Sequence, residues 1–122
     1  MKERYVTVTG FQYYYDKQPF SIGNLIRCQK EPENPHDSEA IRCSLPMIGT
    51  VGYLANSPRT VAGGTMSAGR IYDHVKKRFH VRVMFTTTTK IICKLELGDR
   101  QKLEQELNNQ MHKHWEDENW TD

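Results

Sequence analysis

Period-two alternation of β-branched and aromatic residues, broken at short intervals by turn formers, is what most constrains this chain. Arg4 to Tyr15 alternates Val6 and Val8 with Thr7 and Thr9 and continues as Phe11-Gln12-Tyr13-Tyr14-Tyr15. The pattern predicts a strand with Gly10 as a bulge or bend inside it. Further strands are expected over Leu25 to Lys30, Ala40 to Leu45, Thr50 to Leu54, Phe79 to Phe85 and Lys90 to Leu95, the last two joined by the threonine run Thr86 to Thr89. About six short strands separated by turn signals predict a small barrel or sandwich. Two short helical stretches are expected between them. One starts at Pro58, capped by Asn56 or Ser57 and ended by Gly63-Gly64; the other lies within Ser67 to Val75 with Ile71, Tyr72 and Val75 inward.

Near the C-terminus the period changes. Asp99 can cap a helix whose Leu103, Leu107, Met111 and Trp115 fall four apart on one stripe. That stripe is expected to pack back on the barrel and close an open edge, or else to pair with its copy in a weak homodimer. Glu116 to Asp122 is acidic and expected to fray. The organisation read from these patterns is a mainly β (α+β) domain over residues 1–96, followed by a helix and acidic tail over residues 97–122.

With 122 residues, 37% apolar and 26% charged, there is material for one modest core and no apolar run of membrane-spanning length. The N-terminal residues enter a strand pattern without an apolar leader-like stretch, so a cytoplasmic location is expected. Cys28, Cys43 and Cys93 are then expected to remain thiols. The formal net charge of +2 hides an uneven distribution: residues 1–96 carry 14 Lys and Arg against 8 Asp and Glu, residues 97–122 carry 3 against 7. A basic barrel suits a phosphate backbone, and the acidic tail either shields part of it or offsets it.

Few constellations carry chemistry. There is no Cys-x-x-Cys pair, and His112 and His114 are two apart on a helix and so on different faces, which argues against a metal centre and against any cofactor. The glycine-rich Gly63 to Gly69 lacks the Lys-Ser/Thr ending of a P-loop and reads as a connector. His36-Asp37 sits in the stiff, proline-bracketed loop Glu31 to Ser38, where the simplest role of Asp37 is to cap backbone amides. Tyr13, Tyr14 and Tyr15, consecutive in a strand, must place at least one ring outward, either as cross-strand packing or as a platform for a base. The basic run Arg70, Lys76, Lys77, Arg78 and Arg82, with His74 and His80, is either a solvated face or a groove tracking a phosphate backbone.

Three segments, in order and spacing, resemble the HIRAN domain family over roughly residues 4–96: Val6 to Tyr14, the loop Glu31 to Ile41 with its Asn-Pro-x-Asp-x-x-Ala-Ile core, and Gly49 to Leu54. The resemblance implies an OB-like or SH3-like β-barrel that binds single-stranded DNA and prefers a free 3′-hydroxyl end. By position, Tyr13 and His36 would contact the terminal bases, Asp37 would accept a hydrogen bond from the 3′ hydroxyl, and Tyr53 and Asn56 would lie beside the terminal phosphate. Gln12, Tyr14 and Asn34 fall in the same implied site, with Arg70, Lys76 and Lys77 supplying charge. His36 stands where the family commonly has tyrosine, and Gln12 where its DNA-binding form has arginine. The resemblance implies no catalysis, a role in DNA repair or replication, and a helicase or ATPase as a separate partner. Two other readings compete: a protein-interaction module docking a partner chain, and a small nucleotide or DNA hydrolase using His36 and Asp37.

Overall fold

The computed structural model describes the backbone of residues 3–118 and the side chains of residues 3–113. Six strands, β1 (Tyr5–Thr9), β2 (Leu25–Lys30), β3 (Ile41–Leu45), β4 (Gly49–Leu54), β5 (Arg78–Thr86) and β6 (Ile91–Glu96), close into a barrel in the order β1-β4-β3-β2-β5-β6. Every neighbouring pair is antiparallel. Alternate residues point inward: Ile41, Cys43 and Leu45 of β3 are buried while Arg42 and Ser44 face out, and β6 repeats the pattern. Cys28 and Cys43 face each other across β2 and β3, and all three cysteines are free and buried, with burial pushing the Cys28 and Cys93 thiols up.

The first strand ends earlier than its sequence pattern suggests. Gly10 takes φ +73°, a left-handed conformation that side chains disfavour, and turns the chain into a 3-10 turn over Phe11–Tyr13. Strand pairing stops there because Phe11 is drawn inward, where it meets Phe20 edge-to-face at 6.1 Å between ring centroids. Tyr13, Tyr14 and Tyr15 therefore leave the sheet altogether, and all three are exposed rather than alternating.

The helix expected at Pro58 is also absent. Ser57 starts a single turn, its carbonyl accepting from the Thr60 and Val61 amides, and the Ala62 amide is then captured by Thr7 Oγ1. Asn56 caps no helix because its side chain is engaged elsewhere. The connector at Gly63 to Gly69 is anchored to β1 through Met66 N–H to the Tyr5 carbonyl and a Thr7–Thr65 hydroxyl contact. Ser67 then caps the short α1 (Ala68–Ile71), followed by a 3-10 turn over Tyr72–His74, with Ile71 and Val75 buried and Tyr72 half-buried.

The long C-terminal helix, α2 (Arg100–Glu118), lies over the outer face of β2 and β5 and covers β2 at Leu25, where that strand runs past its partner β3 in an otherwise closed barrel. Leu103 and Leu107 join the core and Met111 packs against it. Burying such side chains is worth about 1.5–3 kcal/mol each. That face is thus occupied by the barrel and is not free for a second copy; the helix runs on through Glu116 to Glu118, where the sequence predicts fraying, while the side chain of Trp115 and residues 119–122 lie outside the described residues. Polar anchors fix the docking. In the β2–β3 register Pro46 falls opposite Leu25, and proline has no N–H to donate. The Gln110 amide takes the missing strand's place, accepting from Leu25 N–H at 2.6 Å and donating to its carbonyl at 3.0 Å. Glu104 pairs with Arg27 and His80, and Glu106 with Arg82, which also reaches Glu96. The basic run is accordingly not one stripe, because His80 and Arg82 are committed to α2. Among the described residues no helix is long and apolar enough to cross a membrane.

Two outcomes follow from this packing. A Cβ built on Gly52 would lie 2.8 Å from Val8 Cγ1 and 3.1 Å from the Thr9 carbonyl. Gly52→Ala is therefore expected to destabilise the barrel by about 1–3 kcal/mol, read as a lowered denaturation midpoint. Hydrogen bonding from Arg27, with help from His80, holds the Glu104 carboxyl down to about 2 from an ordinary 4.5. A depressed carboxyl contributes stability above its unfolded value and loses it as pH falls towards the folded one. Wild-type stability should drop between pH 4.5 and 2, and Glu104→Gln should be less stable at neutral pH with a flatter dependence across that window, measured by denaturation at a series of pH values.

Candidate nucleic-acid interface

The loop between β2 and β3 is held from within and from across. Asn34 Oδ1 accepts from the His36 and Asp37 amides at 2.9 and 3.2 Å, an Asx turn that the Pro35 ring stiffens. Asp37 Oδ1 accepts from Glu39 N–H at 2.9 Å, so the carboxylate does cap the turn, as the loop composition suggests. Its second oxygen has a different partner. Asn56 Nδ2, from the segment after β4, donates to Asp37 Oδ2 at 3.0 Å and lies 3.4 Å from Glu39 Oε1, while Asn56 Oδ1 accepts from Gly69 N–H at 2.8 Å. Asn56 thus ties the loop to the start of α1, and a Cβ at Gly69 would meet Glu39 Oε1 at 2.6 Å.

A second knot forms at Glu31. Its carboxylate accepts from Tyr53 OH at 2.8 Å and from Asn34 Nδ2 at 3.2 Å, and pairs with Arg42 Nε at 3.4 Å. Burial, then the hydrogen bond to Glu31, pushes the Tyr53 phenol up to about 12, so it stays a neutral donor across the physiological range. Tyr14 is close enough to Tyr53 to act on it electrostatically. Asn34, Asp37, Tyr53 and Asn56 are therefore gathered at the end of the barrel from which the β2–β3 and β4–α1 connections depart, with Tyr14 beside them.

The remaining expected residues sit around this group without entering its hydrogen bonds. Gln12 and Tyr13 lie on the 3-10 turn that passes over Gly52, next to Tyr53, and Tyr13 is 81% exposed, its ring open to solvent. His36 is exposed at the loop tip. Arg70 is exposed on α1, one residue beyond the amide that holds Asn56. Lys76 and Lys77 are exposed just before β5, where the Lys77 carbonyl accepts from Lys30 N–H one residue before Glu31. Each Asp37 oxygen accepts one hydrogen bond, from Glu39 N–H or from Asn56, which leaves acceptor capacity on both, and no hydrogen bond joins the His36 and Asp37 side chains. Among the described residues no three His, Cys, Asp or Glu side chains group as metal ligands.

Sequence reasoning missed Glu31, Arg42 and Gly69. Each acts through a partner far away in the chain, and only the charge of Glu31 beside Pro32 hinted at a role. Asn56→Ala removes the hydrogen bonds to Asp37 and Gly69 together. It should cost about 1–3 kcal/mol of stability and raise amide exchange at Asp37 to Ala40 more than in the strands, measured by denaturation and hydrogen exchange.

Similarity to a solved structure, the crystal structure of the HIRAN domain of human HLTF, extends over 88% of this chain and 87% of that one, with 19% identity and a TM-score of 0.51, a likeness of fold. Among curated proteins there is no match. The family model of the HIRAN domain matches residues 1–89, a stretch that contains β1 to β5, the loop carrying Asn34 to Asp37 and the segment carrying Tyr53 and Asn56. On that match over most of its length, the chain belongs to the HIRAN domain family.

Proposed function

We propose that this chain is a non-enzymatic module that binds single-stranded DNA at its 3′-hydroxyl end. Membership of a family of nucleic-acid-binding modules supports the class of ligand. The observation that carries the finer reading is Asp37 itself: a half-buried carboxylate fixed by Glu39 N–H and Asn56, next in sequence to the exposed His36, in a loop whose Asn34 shares the Glu31 carboxylate with Tyr53, the phenol that Tyr14 neighbours. A fixed carboxylate accepts a strong hydrogen bond from a hydroxyl and repels a phosphate, so it discriminates between the two kinds of end. Tyr13 and His36 then stack on the terminal bases, each worth about 1–3 kcal/mol. Gln12, Tyr14, Asn34, Tyr53 and Asn56 frame the last nucleotide, and Arg70, Lys76 and Lys77 attract the backbone. A cytoplasmic role in DNA repair or replication, beside a helicase or ATPase partner, accords with this reading.

Fluorescence anisotropy with otherwise identical oligonucleotides provides the test. The 3′-hydroxyl form should bind at least about tenfold more tightly than the 3′-phosphate form, a difference of about 1.4 kcal/mol, and Asp37→Ala should abolish the difference. Equal affinity for both ends in the wild type would sink the end-recognition claim.

A further inference from the structure

A groove of about 300 Å³ lies on the outer face of the barrel between β3, β2, β5 and the first turn of α2, and none of its lining residues belongs to the β2–β3 loop. Four arginines line it, Arg27, Arg42, Arg78 and Arg100, with Gln29 and Ser44 between them and Glu104 as its one acid. Strand register explains the clustering. Gln29 pairs with Arg42 on one side and Arg78 on the other, and Arg42 pairs in turn with Tyr53. Paired residues point to the same side of a sheet, so Tyr53, Arg42, Gln29 and Arg78 form one transverse row on the outside. The row spans three strand spacings, about 14 Å, and begins at the phenol tied to Glu31.

The acids nearby offset two of the four charges, those of Arg27 and Arg42, and hold these two guanidiniums in place. Glu104 engages Nε and Nη2 of Arg27, and Glu31 faces Nε of Arg42, whose Nη1 donates to Thr50, which leaves guanidinium donors over from the five on each. Neither Arg78 nor Arg100 forms an ion pair with a described residue. Arg78 instead leans on Gln29 at 3.4 Å. Two held guanidiniums, Arg27 and Arg42, and two exposed ones, Arg78 and Arg100, along one polar groove suit successive phosphate groups.

We infer that this arginine groove binds the phosphodiester backbone of the same strand whose end occupies the Asp37 site, taking the nucleotides that precede the terminal ones. The inference rests on the proposed end recognition for the strand's direction, and its test separates the two. Labelled oligonucleotides of about four and about twelve nucleotides, each with a 3′ hydroxyl, are titrated at several salt concentrations. The longer one should bind about fivefold or more tightly than the shorter, with a steeper salt dependence. Arg78→Gln with Arg100→Gln, which leaves the Arg27–Glu104 anchor intact, should remove most of that length advantage and reduce the salt slope by about 1 to 1.5. It should leave the short oligonucleotide and the hydroxyl-over-phosphate preference unchanged. Arg4→Gln with Lys17→Gln, removing equal charge elsewhere, should retain the length advantage, and thermal melts check that both variants fold.

Equal binding of both lengths by the wild type, or an unaltered length advantage in the Arg78/Arg100 variant, overturns the groove. A glutamate-rich peptide that competes as well as an oligonucleotide of equal charge overturns its assignment to phosphodiesters. Loss of the hydroxyl preference with the arginine-dependent length advantage intact defeats the end reading alone, and absence of binding to any oligonucleotide defeats both.

Discussion

Everything else in the molecule depends on β1 being paired along both edges. It meets β6 through Tyr5 to Val8 and β4 through Val8 and Thr9, and so converts a curved sheet into a barrel with no free edge. Gly52 permits the approach, because Val8 and the Thr9 carbonyl occupy the space a side chain would need. Gly10 permits the exit, turning Phe11 into the barrel and the three tyrosines out of it. Closure also sets the registers that bring Tyr53, Arg42, Gln29 and Arg78 into one row, and it brings the β2–β3 loop within reach of Asn56.

Charge is sorted by the same framework. The residues up to 96 are basic and those beyond are acidic, but the near cancellation in the total is local rather than diffuse. Glu104 and Glu106 of α2 take Arg27, His80 and Arg82, three of the basic groups on β2 and β5. Arg78 and Arg100 lie outside those pairs, as do Lys76 and Lys77 before β5. A helix that stabilises the barrel therefore also decides which cations remain for a ligand.

How much of this was legible in the sequence depended on the range of the interaction. All six strands were readable because alternation is local and each alternating segment was bounded by turn formers, although the first was carried past its end at Thr9; α2 was readable from the four-residue spacing of Leu103, Leu107 and Met111. The tyrosine run was misread as strand because Phe11-Gln12-Tyr13 satisfies strand and turn patterns equally, and only the positive φ of Gly10 decides between them. The turn at Pro58 was misread as a helix because the Asn56 side chain, an apt cap, is engaged by Asp37 and Gly69 instead. Asn34, Asp37, Tyr53 and Asn56 were reached through the family resemblance and lie together. Their hub, Glu31, was not, since its partners Tyr53 and Arg42 are set by register, which local pattern does not encode.

The central claim is that a DNA end is held where the β2–β3 loop meets the Tyr53–Asn56 segment. Backbone amide chemical shifts of the nitrogen-labelled full chain, followed while a short single-stranded oligonucleotide with a 3′ hydroxyl is added, test it most directly. The account predicts that the largest changes fall at His36, Asp37, Tyr13, Tyr53 and Asn56. Changes confined to the Phe85–Lys90 hairpin or to α2, or no changes at all, would contradict it.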